Sequence, residues 1–392
     1  MNAGSLMKNT KKRILFPMLF LVILLYPVSG LVTDRFITLN GVTQETVLNK
    51  ASLQGLMNGE WQSELNQYLE NHFWGRKLLI KLRSQGIYSG FNMSPNSAVV
   101  VGKDKYLYEP EYINRELNIY PVSDEDFFNN LIDELVRLDR LCAQNGKELY
   151  VFITPNKASF CKEQIPKQYM LLSQPGENNY ERFVRHLADT DLKYFDSHAY
   201  IADHLAEVEE PAFYPTGIHW SRPWGGRCTI AFAEYVSENS KWQLGRFEQT
   251  VAKKRGPSWP DNDLYQSLNL ILPPSGIQYY KSRISTTEEG DHPSVFLRGG
   301  SFLGQSLNAL GMSGAVDVCA HFENNYCFLD NYERSVTFTS FDSYDEFTEM
   351  GDYLSKADIL ILEVNEAAVP VMSWGFIEYL LENPQLMQSD QR

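Results

Sequence analysis

An α/β domain with a largely parallel sheet is the fold the sequence predicts, on three observations. Strand-like and helix-like segments alternate along the chain. Several of the strand segments are near-continuous apolar runs, the pattern of strands covered on both faces. The 392 residues, 43% of them apolar, supply enough material for one large core or two modest ones. No internal repeat is visible.

In order, residues 33–57 carry no sustained period and read as a spacer. Trp61, Leu65, Tyr68, Leu69 and Phe73 follow helical spacing. The segment 98–108 reads as strand, turn, strand around Gly102-Lys103-Asp104-Lys105. Ser123 with Asp126 resembles a capping box, opening a helix whose apolar face is Phe128, Leu131, Ile132, Leu135, Leu138 and Cys142 and which Gly146 stops. Strand 148–154, helix 180–188, strand 192–195 ending at Asp196 and helix 224–236 come next. Residues 241–293, interrupted by Pro257, Pro260, Pro273 and Pro274, read as an insertion or irregular excursion. Strand 294–297, helix 302–310, strand 358–364 and helix 373–381 complete the pattern. The expected division is a tail and apolar segment at 1–32, the spacer at 33–57 and one domain at 58–392.

The N-terminus gives a cellular address. Lys8, Lys11, Lys12 and Arg13 precede an uncharged apolar run over 14–32. A run of that length spans a bilayer with its basic flank in the cytoplasm. Val28-Ser29-Gly30 equally offers a small-residue cleavage site, which makes the run a signal peptide, although it is long for one. Both readings put the rest of the chain outside the cytoplasmic membrane. A net charge of −14, with no clustered Lys/Arg run after the N-terminus, argues against a nucleic-acid partner. Of five cysteines, none forms a CxxC pair or a zinc-ligand spacing; Cys319 and Cys327 are close enough in sequence to bridge, and small buried hydrophobes is an equal reading. With no Gly-rich phosphate loop and no metal constellation, no cofactor is expected.

Two stretches carry candidate chemistry. Tyr214-Pro215-Thr216-Gly217-Ile218-His219-Trp220-Ser221 holds one histidine among aromatic residues, and Gly299-Gly300-Ser301-Phe302 puts a serine on a strand-to-helix turn. A serine so placed projects above the carboxyl edge of a parallel sheet, where the following helix start favours a developing oxyanion. It is also a fitting N-cap for a tight turn. His219 is of the right type to activate it; Asp196-Ser197-His198 is a rival. Glu363, Asn365 and Glu366 follow a strand and can bind substrate, meet a histidine or simply be solvated. Lys157 can contact an anionic group or cap the sheet edge.

Taken together these blocks resemble the alginate O-acetyltransferase family, the SGNH-hydrolase-like proteins of the AlgJ and AlgX type. Asn71-His72-Phe73-Trp74-Gly75-Arg76 is similar to the family's Asp-His-Phe-x-x-Arg helix, with Asn for Asp. The stretch from Val99-Val100-Val101-Gly102-Lys103-Asp104 to Tyr106-Leu107-Tyr108 resembles its Val-x-Val-Gly-Lys-Asp hairpin, and the strand ending in Pro155-Asn156-Lys157 its Pro-x-Lys strand. Thr216-Gly217-Ile218-His219-Trp220-Ser221 aligns with Thr-Asp-Thr-His-Trp-Thr, and Gly299-Gly300-Ser301-Phe302 with the Gly-x-Ser-Phe nucleophile turn; Asp263-Leu264 and the strand into Glu363 also fit. The resemblance covers roughly residues 60–370.

It implies an SGNH-hydrolase-like three-layer α/β/α domain that moves an acetyl group onto an exported polysaccharide. Ser301 is then the nucleophile and His219 the base. Lys157, Trp220 and Arg298 are then candidate substrate contacts. The implied partners are the polysaccharide acceptor, the bacterial cell membrane and an acetyl-donor protein of the membrane-bound O-acyltransferase type. The chain ends soon after this region, so no separate C-terminal carbohydrate-binding module of the kind some relatives carry is expected. One departure stands out: the family's triad aspartate is Gly217 here. Three readings follow. Ser301 and His219 act as a dyad, or another carboxylate such as Asp196 or Glu363 reaches the imidazole, or the chain is a catalytically inactive scaffold or polysaccharide-binding component.

Overall fold

The computed structural model describes residues 17–18, 20–22, 25–26, 36–41, 48–72, 75–312 and 314–388. The basic tail and most of the apolar run over 14–32 lie outside the described residues, as do Phe73 and Trp74. No helix among the described residues is long and apolar enough to cross a membrane. Two compact units emerge: residues 1–99 with 264–275, and residues 100–263 with 276–392.

The first unit is helical over its described part, with Leu53–Asn58, Glu60–His72 and Arg76–Phe91. The first of these falls inside the stretch read as spacer, where Ser52 caps the helix by accepting the Gly55 N–H. Tyr88 meets Tyr265 edge-on within this unit, ring centroids 5.9 Å apart.

The second unit holds the sheet. Its strands are β1 (Val100–Val101), β2 (Leu107–Tyr108), β3 (Glu148–Thr154), β4 (Tyr194–Asp196), β5 (Arg246–Lys254), β6 (Tyr279–Glu288), β7 (Ser294–Gly299), β8 (Asp317–Glu323), β9 (Tyr326–Leu329), β10 (Arg334–Thr337) and β11 (Ile359–Asn365). Seven of them form one sheet in the order β10-β9-β8-β7-β11-β3-β4. The run from β8 to β4 is parallel, and β9 and β10 add antiparallel strands at one edge.

Strand alternation divides the core between the two faces. Val151, Ile153, Phe296, Leu360, Leu362 and Val364 pack on one face with the helix Glu125–Gln144 and residues of Phe376–Glu382. Tyr150, Phe152, Val295, Leu297, Ile359 and Ile361 pack on the other, against the helices Arg222–Asn239 and Ser301–Met312. The sheet is thus sandwiched between helical layers. The apolar face expected of Glu125–Gln144 is buried at each of its six positions. Its cap lies one residue later than expected: the Asp124 carboxylate, rather than Ser123, accepts the Phe127 N–H at 2.9 Å.

The excursion at 241–293 is more ordered than its sequence suggested. β5 and β6 form a separate antiparallel two-stranded ribbon. Both strands alternate mainly between exposed and half-buried positions, so neither carries a wholly apolar face to read. All five cysteines are free. Cys319 and Cys327 lie on adjacent antiparallel strands, but Cys327 is registered with Phe322, and the Cys319 thiol instead donates to the Val295 carbonyl at 3.1 Å.

Phe296 sits at the centre of this sheet, wholly buried and stacked on Phe322 and Phe376 at 5.5 and 5.6 Å. Truncating it opens a cavity that close-packed neighbours fill only in part. Phe296→Ala should lower the urea unfolding free energy by about 3–5 kcal/mol; a loss under about 1 kcal/mol would contradict this account of the core.

Candidate active site

The site lies at the carboxyl end of the parallel strands. β7 ends at Gly299, Gly300 turns the chain, and Ser301 is the first residue of the helix Ser301–Met312. Glycine is required at 299 by a close approach: a Cβ there would lie 2.6 Å from the Glu363 Cβ and 2.7 Å from its Oε2. Glu363 continues the alternation of Ile359 and Ile361 on β11, so its carboxyl points beneath the turn, where it accepts the Gly300 N–H at 2.6 Å and the Thr154 hydroxyl. The Ser301 hydroxyl faces His219, with Oγ 2.8 Å from Nε2.

His219 comes from the loop between the helices Ser197–His204 and Arg222–Asn239. That loop is closed by an antiparallel bridge between Phe213 and Trp220 and by the Ser221 N–H on the Ala212 carbonyl at 2.7 Å. Beneath it lies Lys157, wholly buried, whose Nζ donates to the carbonyls of Tyr214, Pro215 and Gly217 at 2.7, 3.1 and 2.6 Å. The ammonium also lies 5.5 and 5.2 Å from the Tyr106 and Tyr108 ring centroids. Burial pushes the Lys157 pKa down to about 8, which leaves it protonated at neutral pH. The imidazole packs on Phe302, centroids 4.7 Å apart.

The other face of the imidazole carries a carboxylate that Gly217 does not supply. Asp263 Oδ2 lies 2.5 Å from His219 Nδ1, and its Oδ1 accepts the Ile218 N–H at 2.9 Å. A carboxylate can only accept, so Nδ1 carries the proton and Nε2 is left to accept from the Ser301 hydroxyl. Asp263 therefore stands where an acid of a Ser-His-Asp triad stands, arriving from a different segment. Gly217 is the reason it fits: a Cβ there would lie 2.8 Å from the Pro260 carbonyl oxygen and 2.9 Å from that of Asp261. Thr216 reinforces the crossing by donating its hydroxyl to the Asp261 carbonyl at 2.8 Å.

The other expected site residues are placed elsewhere. Asp196 caps the helix Ser197–His204 and accepts the Tyr180 hydroxyl at 2.8 Å. Glu363 is held under the serine turn. Neither of these bonds leads to the imidazole. The rival His198 bonds Glu366 through Nδ1 at 2.7 Å. Lys157, Trp220 and Arg298, read as substrate contacts, are all turned inward. Trp220 is 1% exposed and packs near Phe152 and Phe302. The Arg298 guanidinium is fully buried, donating to the Tyr344 hydroxyl and to the carbonyls of Gly299, Phe322 and Phe341. These three brace the site. Asp263 matched the family pattern in sequence but carried no role, because 44 residues separate it from His219 and nothing local marks the crossing.

Further carboxyls surround the pair. Glu109 and Glu323 both have pKa values raised first by burial; Asp263 adds to the rise at Glu109, and His219 opposes it at both. The helix start leaves the Ser301 and Phe302 N–H groups as candidate oxyanion donors, whereas the Gly300 N–H is committed to Glu363. Among the described residues no group of three or more His, Cys, Asp or Glu is arranged to hold a metal ion.

Burial raises the Glu363 pKa from 4.5 to about 7, against the lowering by its two donors. Between those values the native state keeps a proton that the unfolded chain releases. The stability this protonated carboxyl contributes is therefore full below about 4.5 and lost as pH rises to about 7. Glu363→Gln should remove a pH-dependent term of about 3 kcal/mol, seen by comparing urea unfolding of the two proteins from pH 4.5 to 8. Parallel profiles would show that Glu363 is not the group responsible.

The sequence model described as "SGNH hydrolase-like domain, acetyltransferase AlgX" matches residues 99–308. Among solved structures, the O-acetyltransferase domain of Pseudomonas putida AlgJ is 17% identical, covering 73% of this chain and 99% of its own, with a TM-score of 0.44. Pseudomonas aeruginosa AlgX is 15% identical, covering 76% and 69%, with a TM-score of 0.41. Bacillus cereus PatB1 is 10% identical, covering 69% and 96%, with a TM-score of 0.41. No curated protein matches in sequence. The family match takes in His219, Asp263 and Ser301 and spans more than half of the 392 residues, and the chain belongs to the AlgX family of SGNH hydrolase-like acetyltransferase domains.

Proposed function

We propose that this chain is an O-acetyltransferase in which Ser301, His219 and Asp263 act as nucleophile, base and acid on an exported polysaccharide. The observation that carries the proposal is the continuous line of contacts, Asp263 to Nδ1 at 2.5 Å and Nε2 to Oγ at 2.8 Å. As Oγ attacks an acetyl ester, its proton passes to Nε2. The imidazolium that forms is stabilised by Asp263, and the tetrahedral oxyanion faces the N–H groups at the start of the Ser301 helix. Collapse expels the donor alcohol, which takes the proton from Nε2, and leaves an acetyl-serine. A sugar hydroxyl then gives its proton to His219, attacks the acetyl carbon and restores the serine.

The inactive-scaffold reading rested on Gly217, and it loses that ground with Asp263 at the imidazole. A carbohydrate esterase would use the same residues with water as acceptor; the family favours transfer. The basic tail and the apolar run over 14–32 support a domain outside the cytoplasmic membrane, anchored or exported. Its acetyl groups would then come from a membrane-bound O-acyltransferase-type partner.

With 4-nitrophenyl acetate as donor, Ser301→Ala and His219→Ala should reduce turnover to background, and Asp263→Asn should lower kcat by about 10³–10⁴. Asp196→Asn should stay within about twofold of the unaltered protein. Wild-type turnover in Asp263→Asn would remove it from the mechanism. Restoring the family's own acid with Gly217→Asp should lower activity rather than raise it, because the new Cβ would push on the backbone that delivers Asp263. A gain in kcat from that change would refute the steric account.

A further inference from the structure

Resting on the reading above, we infer that the acceptor sugar is seated on the exposed indole of Trp259, beside His219. Trp259 is 62% exposed, although it neighbours a nearly buried imidazole, with ring centroids 6.4 Å apart. Its backbone is held firmly. The Arg222 guanidinium donates to the Trp259 carbonyl at 2.7 Å, and the Asp261 N–H bonds the Ser258 carbonyl at 2.7 Å across the turn. The Lys254 ammonium meets the Asp261 carboxylate at 2.6 Å behind it. A large aromatic ring presented to solvent on a braced turn, beside the base, is suited to the apolar C–H face of a pyranose, which buries area there at little conformational cost.

A second aromatic flanks the serine. A Cβ on Gly300 would lie 3.5 Å from the Trp374 ring, and Phe341, 49% exposed, has its ring centroid 6.4 Å from that of Trp374. Aromatic surface thus adjoins both His219 and the serine turn.

The test offers the full chain 4-nitrophenyl acetate with hexamers of glucose, glucosamine and mannuronate, measuring acetylated oligomer by mass spectrometry and released acetate in parallel. Ser301-dependent transfer to at least one of the three hexamers is expected, since each presents a pyranose face. Trp259→Ala should lower the ratio of transfer to hydrolysis at least fivefold. No transfer to any hexamer, or an unchanged ratio in Trp259→Ala, overturns the inference. Absence of any Ser301-dependent acetate release from the unaltered protein overturns the acetyltransferase reading itself.

Discussion

The buried ammonium of Lys157 is the interaction on which the site depends. Three carbonyls of one loop converge on it, and each would lose a charged donor without the cation. By fixing Tyr214, Pro215 and Gly217, it fixes the loop just before His219, and the Leu107 N–H on the Pro215 carbonyl adds a fourth tie at 2.8 Å. The imidazole can then be held between two partners with little freedom left to lose. Lys157 itself is separated from the end of β3 by two residues, so His219 is positioned from the sheet although it sits on a long loop.

Gly217 and Asp263 show how a carboxylate from a distant segment reaches an imidazole whose own loop leaves room for its backbone. Two demands compete for the volume beside the imidazole, a side chain from its own loop and a backbone crossing from another. Here the crossing occupies it, and glycine is the residue that permits 2.8 Å separations to a neighbouring carbonyl. The Asp263 carboxylate gains a second anchor from this route, since the Ile218 N–H orients it independently of the histidine.

How much of this was legible in the sequence differs by element. The central strands were readable because burial on both faces leaves apolar runs such as 149–153 in β3 and 359–362 in β11. The ribbon was not, since Arg246–Lys254 carries charges along its length and half-exposed strands need no apolar face. Ser301 and His219 could be singled out because each lies in a distinctive local stretch. The meeting of His219 with Asp263 could not, being a contact between segments with no shared pattern. Lys157 and Arg298, expected at the substrate, turn inward instead. Carbonyl clusters and aromatic rings made the interior an alternative solvent for them.

The segment bearing Asp263 hangs between the two strands of the β5–β6 ribbon, outside the hydrogen-bonded ladder of the main sheet. Ribbons of two strands open more readily than a seven-stranded sheet. Ser301 is therefore built onto the end of a sheet strand, while Asp263 is borrowed from a connection outside that sheet. Partial loosening on warming would leave a serine–histidine pair without its third member, so catalytic competence and global folding become separable properties of one chain.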